Sequence, residues 1–159
     1  MHLHNWLKLA VAVVICEFAG VLGSVFIVSA IPEWYAGLAK PDLAPPNWIF
    51  GPVWATLYFL MGLAAFLVWR RGLEHREVRL ALQVFGLQLM LNALWSIIFF
   101  GMQMPGLALA EIVIMWLAIV WTIVVFYRLS RPAAYLLWPY LAWVSFAAYL
   151  NYAIWFMNK

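Results

Sequence analysis

The sequence predicts an all-α integral membrane protein, a single bundle of five transmembrane helices occupying residues 1–159. Three observations predict it. Of 159 residues, 69% are hydrophobic and only 9% charged, with a mean hydropathy of +0.97. An ordinary soluble domain is about 45–50% apolar and about 25% charged, and a soluble fold this small buries too little of its surface to hide such an excess. The apolar residues also gather into five runs, each near the roughly 20 residues that a helix needs to cross a hydrocarbon core about 30 Å thick. The runs are continuous rather than alternating and rich in Leu, Ala and Met, which excludes barrel strands.

The expected spans are 8–31, 48–70, 79–100, 106–128 and 134–157. Pro32 follows the first, and Pro52 falls in the opening turn of the second. "RRGLEHREVR" separates the second from the third, "GMQMPG" the third from the fourth, and "RLSRP" the fourth from the fifth. The first span has a basic start at Lys8 and a "VSA" at 28–30 that resembles a cleavage site. It is nevertheless read as a retained helix, because it is too long for a signal-peptide core and carries Glu17 in its middle.

Lys8, Arg70, Arg71, Arg76, Arg79, Arg128 and Arg131 fall on one side of a five-helix arrangement, against Lys40 and Lys159 on the other. This bias places the N-terminus in the cytoplasm and the linking segment 32–47 on the outer face. With no targeting peptide recognised, the expected location is a prokaryotic plasma membrane. Basic residues confined to span ends give no reason to expect a nucleic-acid partner. Cys16 lies in an apolar run and is read as a small hydrophobe, and His2, His4 and His75 lack metal-ligand spacing, so no metal site is expected.

Polar side chains within the spans carry the next clue, since such groups face a bundle interior by default. Gln88, Asn92 and Ser96, spaced four apart with Trp95 beside them, form a stripe on one helical face. The stripe is either glue between helices or the wall of a cavity. In the second span Asn47, Phe50, Trp54 and Tyr58 share a face that continues with Gly62 and Ala65; in the fifth, Tyr140, Trp143, Ala147 and Asn151 do the same. Rings at the outer ends above small residues further in suggest an aromatic pocket. An interfacial belt explains Trp6, Trp69, Trp138 and Trp155, but Trp54 and Trp143 lie more than a turn inside. Glu17 and Glu111 are expected as protonated carboxyls hydrogen-bonded to neighbouring helices, with a proton relay as the alternative. No nucleophile–base pair, phosphate-binding glycine loop or histidine acid–base centre is visible.

The segment "EWYAGLAKPDLAPPNWIFGPVWATLYFLMG" resembles the TspO/translocator-protein family, also called tryptophan-rich sensory proteins or peripheral benzodiazepine receptors. The pattern WYxxLxKPxxxPPxWxxxPVWxxLY is met from Trp34 to Tyr58, including Lys40, Pro41, Pro45, Pro46, Trp48 and Pro52. "LNALWSIIFFG" (91–101), "WPYLAWVSFAAYLNYAIW" (138–155) and the pair Gly20 and Gly23 extend the resemblance over nearly the whole chain.

The resemblance implies a pocket lidded by the 31–47 link that binds porphyrins and haem-type tetrapyrroles as ligands, with no cofactor required. Sterols and benzodiazepine-like molecules are further ligands of some members, and a homodimer is implied. Matching positions assign Trp34, Tyr35, Trp54, Tyr58, Asn92, Trp143 and Ala147 to the pocket, and Trp95 joins them from the stripe. Indole faces suit a flat aromatic plate, and prolines in the link reduce the entropy lost on ordering a lid. The function implied is a tetrapyrrole sensor, carrier or regulator. Two alternatives are a light- and oxygen-dependent porphyrin-degrading enzyme with Trp54 and Trp143 as redox-active residues, and a transporter of porphyrins or sterol-like lipids. Leu43 stands where the family often carries Trp, and Phe156 where a sterol-associated pattern around Leu150 and Tyr152 would have a basic residue.

Overall fold

The computed structural model describes residues 2–159; the side chain of His2, read above as a non-ligand, lies outside the described residues. Among these residues five helical segments are long and apolar enough to cross a membrane: Leu3–Ala30, Asn47–Trp69, Arg76–Gly101, Pro105–Leu129 and Arg131–Met157. The chain is a multi-pass integral membrane protein with an all-helical fold.

The first helix, α1 (His2–Ala30), starts at residue 2 rather than 8 because nothing in "HLHNWL" breaks it. Lys8 is therefore nearly two turns inside, and its ammonium lies over the Trp69 ring, 5.8 Å from the centroid. Only 17% of the most apolar window of α1 is buried, so Val14, Phe18, Val21 and Val25 face outward. A helix apolar all round is stable there because its solvent is lipid. α2 (Phe50–Trp69) follows a short 3₁₀ turn at Asn47–Ile49. α3 (Arg76–Ser96) ends in a π-helical turn, Ile97–Gly101, where Met102 N–H bonds the Ile97 carbonyl at 2.8 Å.

α4 (Pro105–Leu129) agrees with its expected span within one residue at either end. The fifth span is not one helix but two, α5 (Arg131–Leu136) and α6 (Trp138–Met157). Ser130 Oγ accepts the Ala133 N–H at 3.4 Å to start α5. Pro139, which lacks an N–H and crowds the preceding turn, sits in the first turn of α6 and sets the break.

α1 packs on α2 and α3, α3 on α4, and α4 on α5 and α6; α5 then closes the ring against α2. Glycines set the α1–α2 approach. A Cβ on Gly62 would lie 2.7 Å from the Val13 Cα, and one on Gly20 would lie 2.6 Å from the Tyr58 ring. Across to α6, by contrast, α2 is joined chiefly by aromatic side chains. That is where the candidate site lies.

The Gln88–Asn92 part of the polar stripe is glue. Tyr58 Oη–H donates to Asn92 Oδ1, Asn92 Nδ2–H to Tyr140 Oη at 2.9 Å, and Tyr140 Oη–H to Gln88 Oε1 at 2.7 Å. The chain links α2, α3 and α6. Glu111 departs from its expected hydrogen bond to a neighbouring helix: it is 6% exposed, and neither carboxyl oxygen has a protein partner. Its own inward stripe, Ala108, Ile112 and Met115, supplies no side-chain donor. Glu17 instead borders an open cleft.

Candidate ligand-binding site

A chain of touching rings lines a narrow cavity at the end of the bundle covered by the 31–47 link. From the link, Tyr35 stands edge-on to Phe50 with centroids 6.4 Å apart and tilts against Phe100 at 5.8 Å. Phe50 meets Trp143 at 6.3 Å, and Trp143 meets Trp54 at 6.4 Å with planes 88° apart. Trp54 lies nearly parallel to Tyr58 at 5.6 Å, and Trp95 stacks on Phe99 at 5.1 Å. Edge-to-face and offset contacts of this kind are the preferred arrangements of aromatic quadrupoles.

The local sequence explains why the rings converge. Phe50 and Trp54 are one helical turn apart on α2, as are Trp143 and Ala147 on α6, so each pair shares a face. The π turn at the end of α3 places both Phe99 and Phe100 in the cavity wall. Asn151 is the polar exception there, and it is fully engaged: its Oδ1 accepts from Trp95 Nε1–H at 2.9 Å while its Nδ2–H donates to the Pro105 carbonyl at 2.8 Å.

The link closes tightly over this cage. Tyr35 is 3% exposed, and burial pushes its hydroxyl pKa above the usual tyrosine value. Lys40 Nζ–H donates to the Tyr35 and Leu38 carbonyls at 2.8 and 3.0 Å and lies 4.7 Å over the Tyr35 ring. From the far end of the chain, Asn158 Oδ1 accepts the Ala39 N–H at 3.0 Å and Asn158 Nδ2–H donates to the Ala39 carbonyl at 2.8 Å. So closed, the cage holds only about 40 Å³.

Beside it a larger space opens. A cleft of about 410 Å³ runs between α1 and α2, with Glu17, Ser24 and Tyr58 among its walls and Asn47 and Trp48 at its loop end. Ile27, Phe50 and Trp54 border both cage and cleft.

Of the residues singled out in the sequence, Tyr35, Trp54, Trp95, Trp143 and Ala147 line the cage, and Trp54 and Tyr58 line the cleft. Trp34 and Asn92 are among the lining residues of neither: Trp34 packs edge-on against Phe99 at 5.6 Å, and Asn92 holds the two tyrosines. Sequence reasoning missed Phe99 and Phe100. Phe99, four residues beyond Trp95, has the stripe spacing and was within reach of it; Phe100 enters only through the π turn.

The TspO/MBR family model matches residues 12–156. The chain belongs to the TspO/MBR family. Among its relatives, the tryptophan-rich protein TspO of Chlorobaculum tepidum is 45% identical over 96% of each chain. The translocator protein of Homo sapiens is 43% identical over 84% of this chain and 80% of its own. A tryptophan-rich sensory protein of Cereibacter sphaeroides is 41% identical over 76% of this chain and 73% of its own. Family membership thus covers the link, the cage and the cleft together.

Proposed function

We propose that this protein binds tetrapyrroles of the porphyrin and haem type and acts as a sensor, carrier or regulator of their levels. The observation that carries the reading is the run of touching rings Tyr35, Phe50, Trp143 and Trp54, which offers a flat aromatic ligand several faces and edges at once. The adjoining cleft of about 410 Å³ falls within the roughly 300–1,000 Å³ of small-molecule sites. The translocator and sensory names of the relatives accord with carriage or sensing. Titration of the purified protein with protoporphyrin IX, followed by tryptophan fluorescence, tests the reading; absence of saturable quenching would overturn it.

A second reading has its own observation. Trp54 and Trp143 are in direct contact, and Trp54 is stacked on Tyr58. An excited porphyrin would take an electron from this indole pair and pass it to dioxygen as superoxide. The indole radical cation then regains an electron from the porphyrin, and the porphyrin cation so formed combines with superoxide. Porphyrin and dioxygen together thus give the cleaved product, and the indoles are restored. Illumination of the protoporphyrin complex in air is expected to yield a new chromophore that Trp143→Phe suppresses; an unchanged porphyrin spectrum leaves binding alone.

The location proposed is a prokaryotic plasma membrane with the N-terminus cytoplasmic. Its support is the gathering of Lys8, Arg70, Arg71, Arg76, Arg79, Arg128 and Arg131 at one end of the bundle.

A further inference from the structure

We infer that the ligand reaches the aromatic cage sideways from the bilayer, through the cleft between α1 and α2, with Phe50 and Trp54 as the partition, while the 31–47 link stays shut. This rests on the tetrapyrrole reading and adds the route that reading leaves open.

The two possible entrances differ sharply in what holds them. From the outer face, opening the link means breaking both Asn158–Ala39 hydrogen bonds and withdrawing Tyr35 and Trp34 from their ring partners. Lys40 makes the link a single piece by tying two of its carbonyls, so its 35–40 part moves together or not at all. From the membrane, an opening is already present. The cleft follows α1 from Ile31 to Glu17, a length of about 21 Å at 1.5 Å per residue. Its α1 edge is formed by Val21 and Val28, 57% and 72% exposed, and its α2 edge by Gly51 and Ala55, also exposed, so its mouth meets lipid.

What separates cleft from cage is side chains. Ile27, Phe50 and Trp54 border both spaces. Phe50 is held by Tyr35 and Trp143, and Trp54 by Tyr58, Tyr140 and Trp143, so swinging them aside exchanges ring contacts for contacts with an aromatic ligand and breaks no hydrogen bond of the link. The ligand class fits the route: a flat, largely apolar molecule that partitions into lipid arrives at the cleft already desolvated. At its deep end Glu17 offers a carboxyl, and midway along it Ser24 offers a hydroxyl whose proton bonds the Val21 carbonyl at 2.7 Å, so a ligand N–H meets an acceptor at either level.

The test keeps the link closed and narrows the cleft, in separate variants reconstituted ligand-free in vesicles, which are then mixed rapidly with donor vesicles carrying protoporphyrin IX. Ala39→Cys/Asn158→Cys, oxidised, joins the link to the end of α6; neither position lines cage or cleft, and Cys16 is buried. Gly51→Phe and Ala55→Phe fill the mouth, and a Cβ on Gly51 meets nothing within 4 Å. The expected result is a binding rate within twofold of wild type for the cross-linked protein and at least tenfold slower for the two Phe variants. A tenfold slowing by the cross-link, or no slowing by either Phe variant, overturns the inference. Should wild type bind no porphyrin, the functional reading fails by itself. The route is then read from lipids brominated on their acyl chains, which are expected to quench Trp54, taken as the difference between wild type and Trp54→Phe, in the cross-linked protein. No such quenching overturns the route.

Discussion

The Tyr58 ring closes against Gly20: a Cβ at position 20 would sit 2.6 Å from both Cδ2 and Cε2 of the Tyr58 ring. The same ring donates its hydroxyl proton to Asn92 and stacks on Trp54. A single glycine on α1 therefore sets the position of a tyrosine that both locks α2 to α3 and supports the cage.

Glycines with and without neighbours are expected to respond oppositely to alanine. Gly62→Ala drives its methyl against the Val13 backbone, which cannot rotate away, and overpacking of this kind costs about 1–3 kcal/mol. Gly86→Ala meets nothing within 4 Å and should be neutral or stabilising by up to about 1 kcal/mol through helix propensity. Thermal unfolding of both in detergent checks the pair; equal effects would refute the close-approach account.

Tyr140→Phe removes the hydroxyl that accepts from Asn92 and donates to Gln88. Interhelical bonds in membranes stabilise by about 0.6–2 kcal/mol each, and a loss in that range is expected with helix content unchanged. Asn92→Leu, which breaks two links of the chain, should lose more. Equilibrium unfolding in mixed detergent micelles reads both.

Porphyrin affinity is expected to depend on stacking more than on charge. Losing one aromatic contact costs about 0.5–1.5 kcal/mol beyond the lost area, and Trp143→Ala removes contacts to Phe50, Trp54 and Phe146 at once. Lys40 already donates to two carbonyls of its own link, so Lys40→Ala should weaken protoporphyrin IX binding by at most about 1 kcal/mol. Fluorescence titration at low and high salt decides it. A larger loss for Lys40→Ala, or binding abolished by salt, would point to charge capture.

For topology, a reporter inserted in the turn at 72–74 is expected to be cytoplasmic, and one after Lys159 to lie outside. The flanking Arg70, Arg71, Arg76 and Arg79 motivate this placement. Protease access to the 72–74 turn from outside intact cells would reverse it.

The five spans were legible in the sequence because hydropathy is a property of local runs, and lipid demands a closed helix wherever such a run is long enough. The rings at positions 54 and 143 were legible too, from helical spacing and their depth inside their spans. Two local breaks were not foreseen: the Pro139 break between α5 and α6, and the π turn that brings Phe100 into the cage beside Phe99. Tertiary structure decided the partners. That Asn92 bonds Tyr58 and Tyr140 rather than lining a cavity, that Asn158 clasps Ala39 from 119 residues away, and that the cage is shut while a cleft stands open beside it, all depend on how far each helix is rotated and how closely it approaches. Spacing along one helix says which residues share a face; what that face meets is decided by close approaches between helices, at Gly20, Gly62, Gly101 and Gly106 among others.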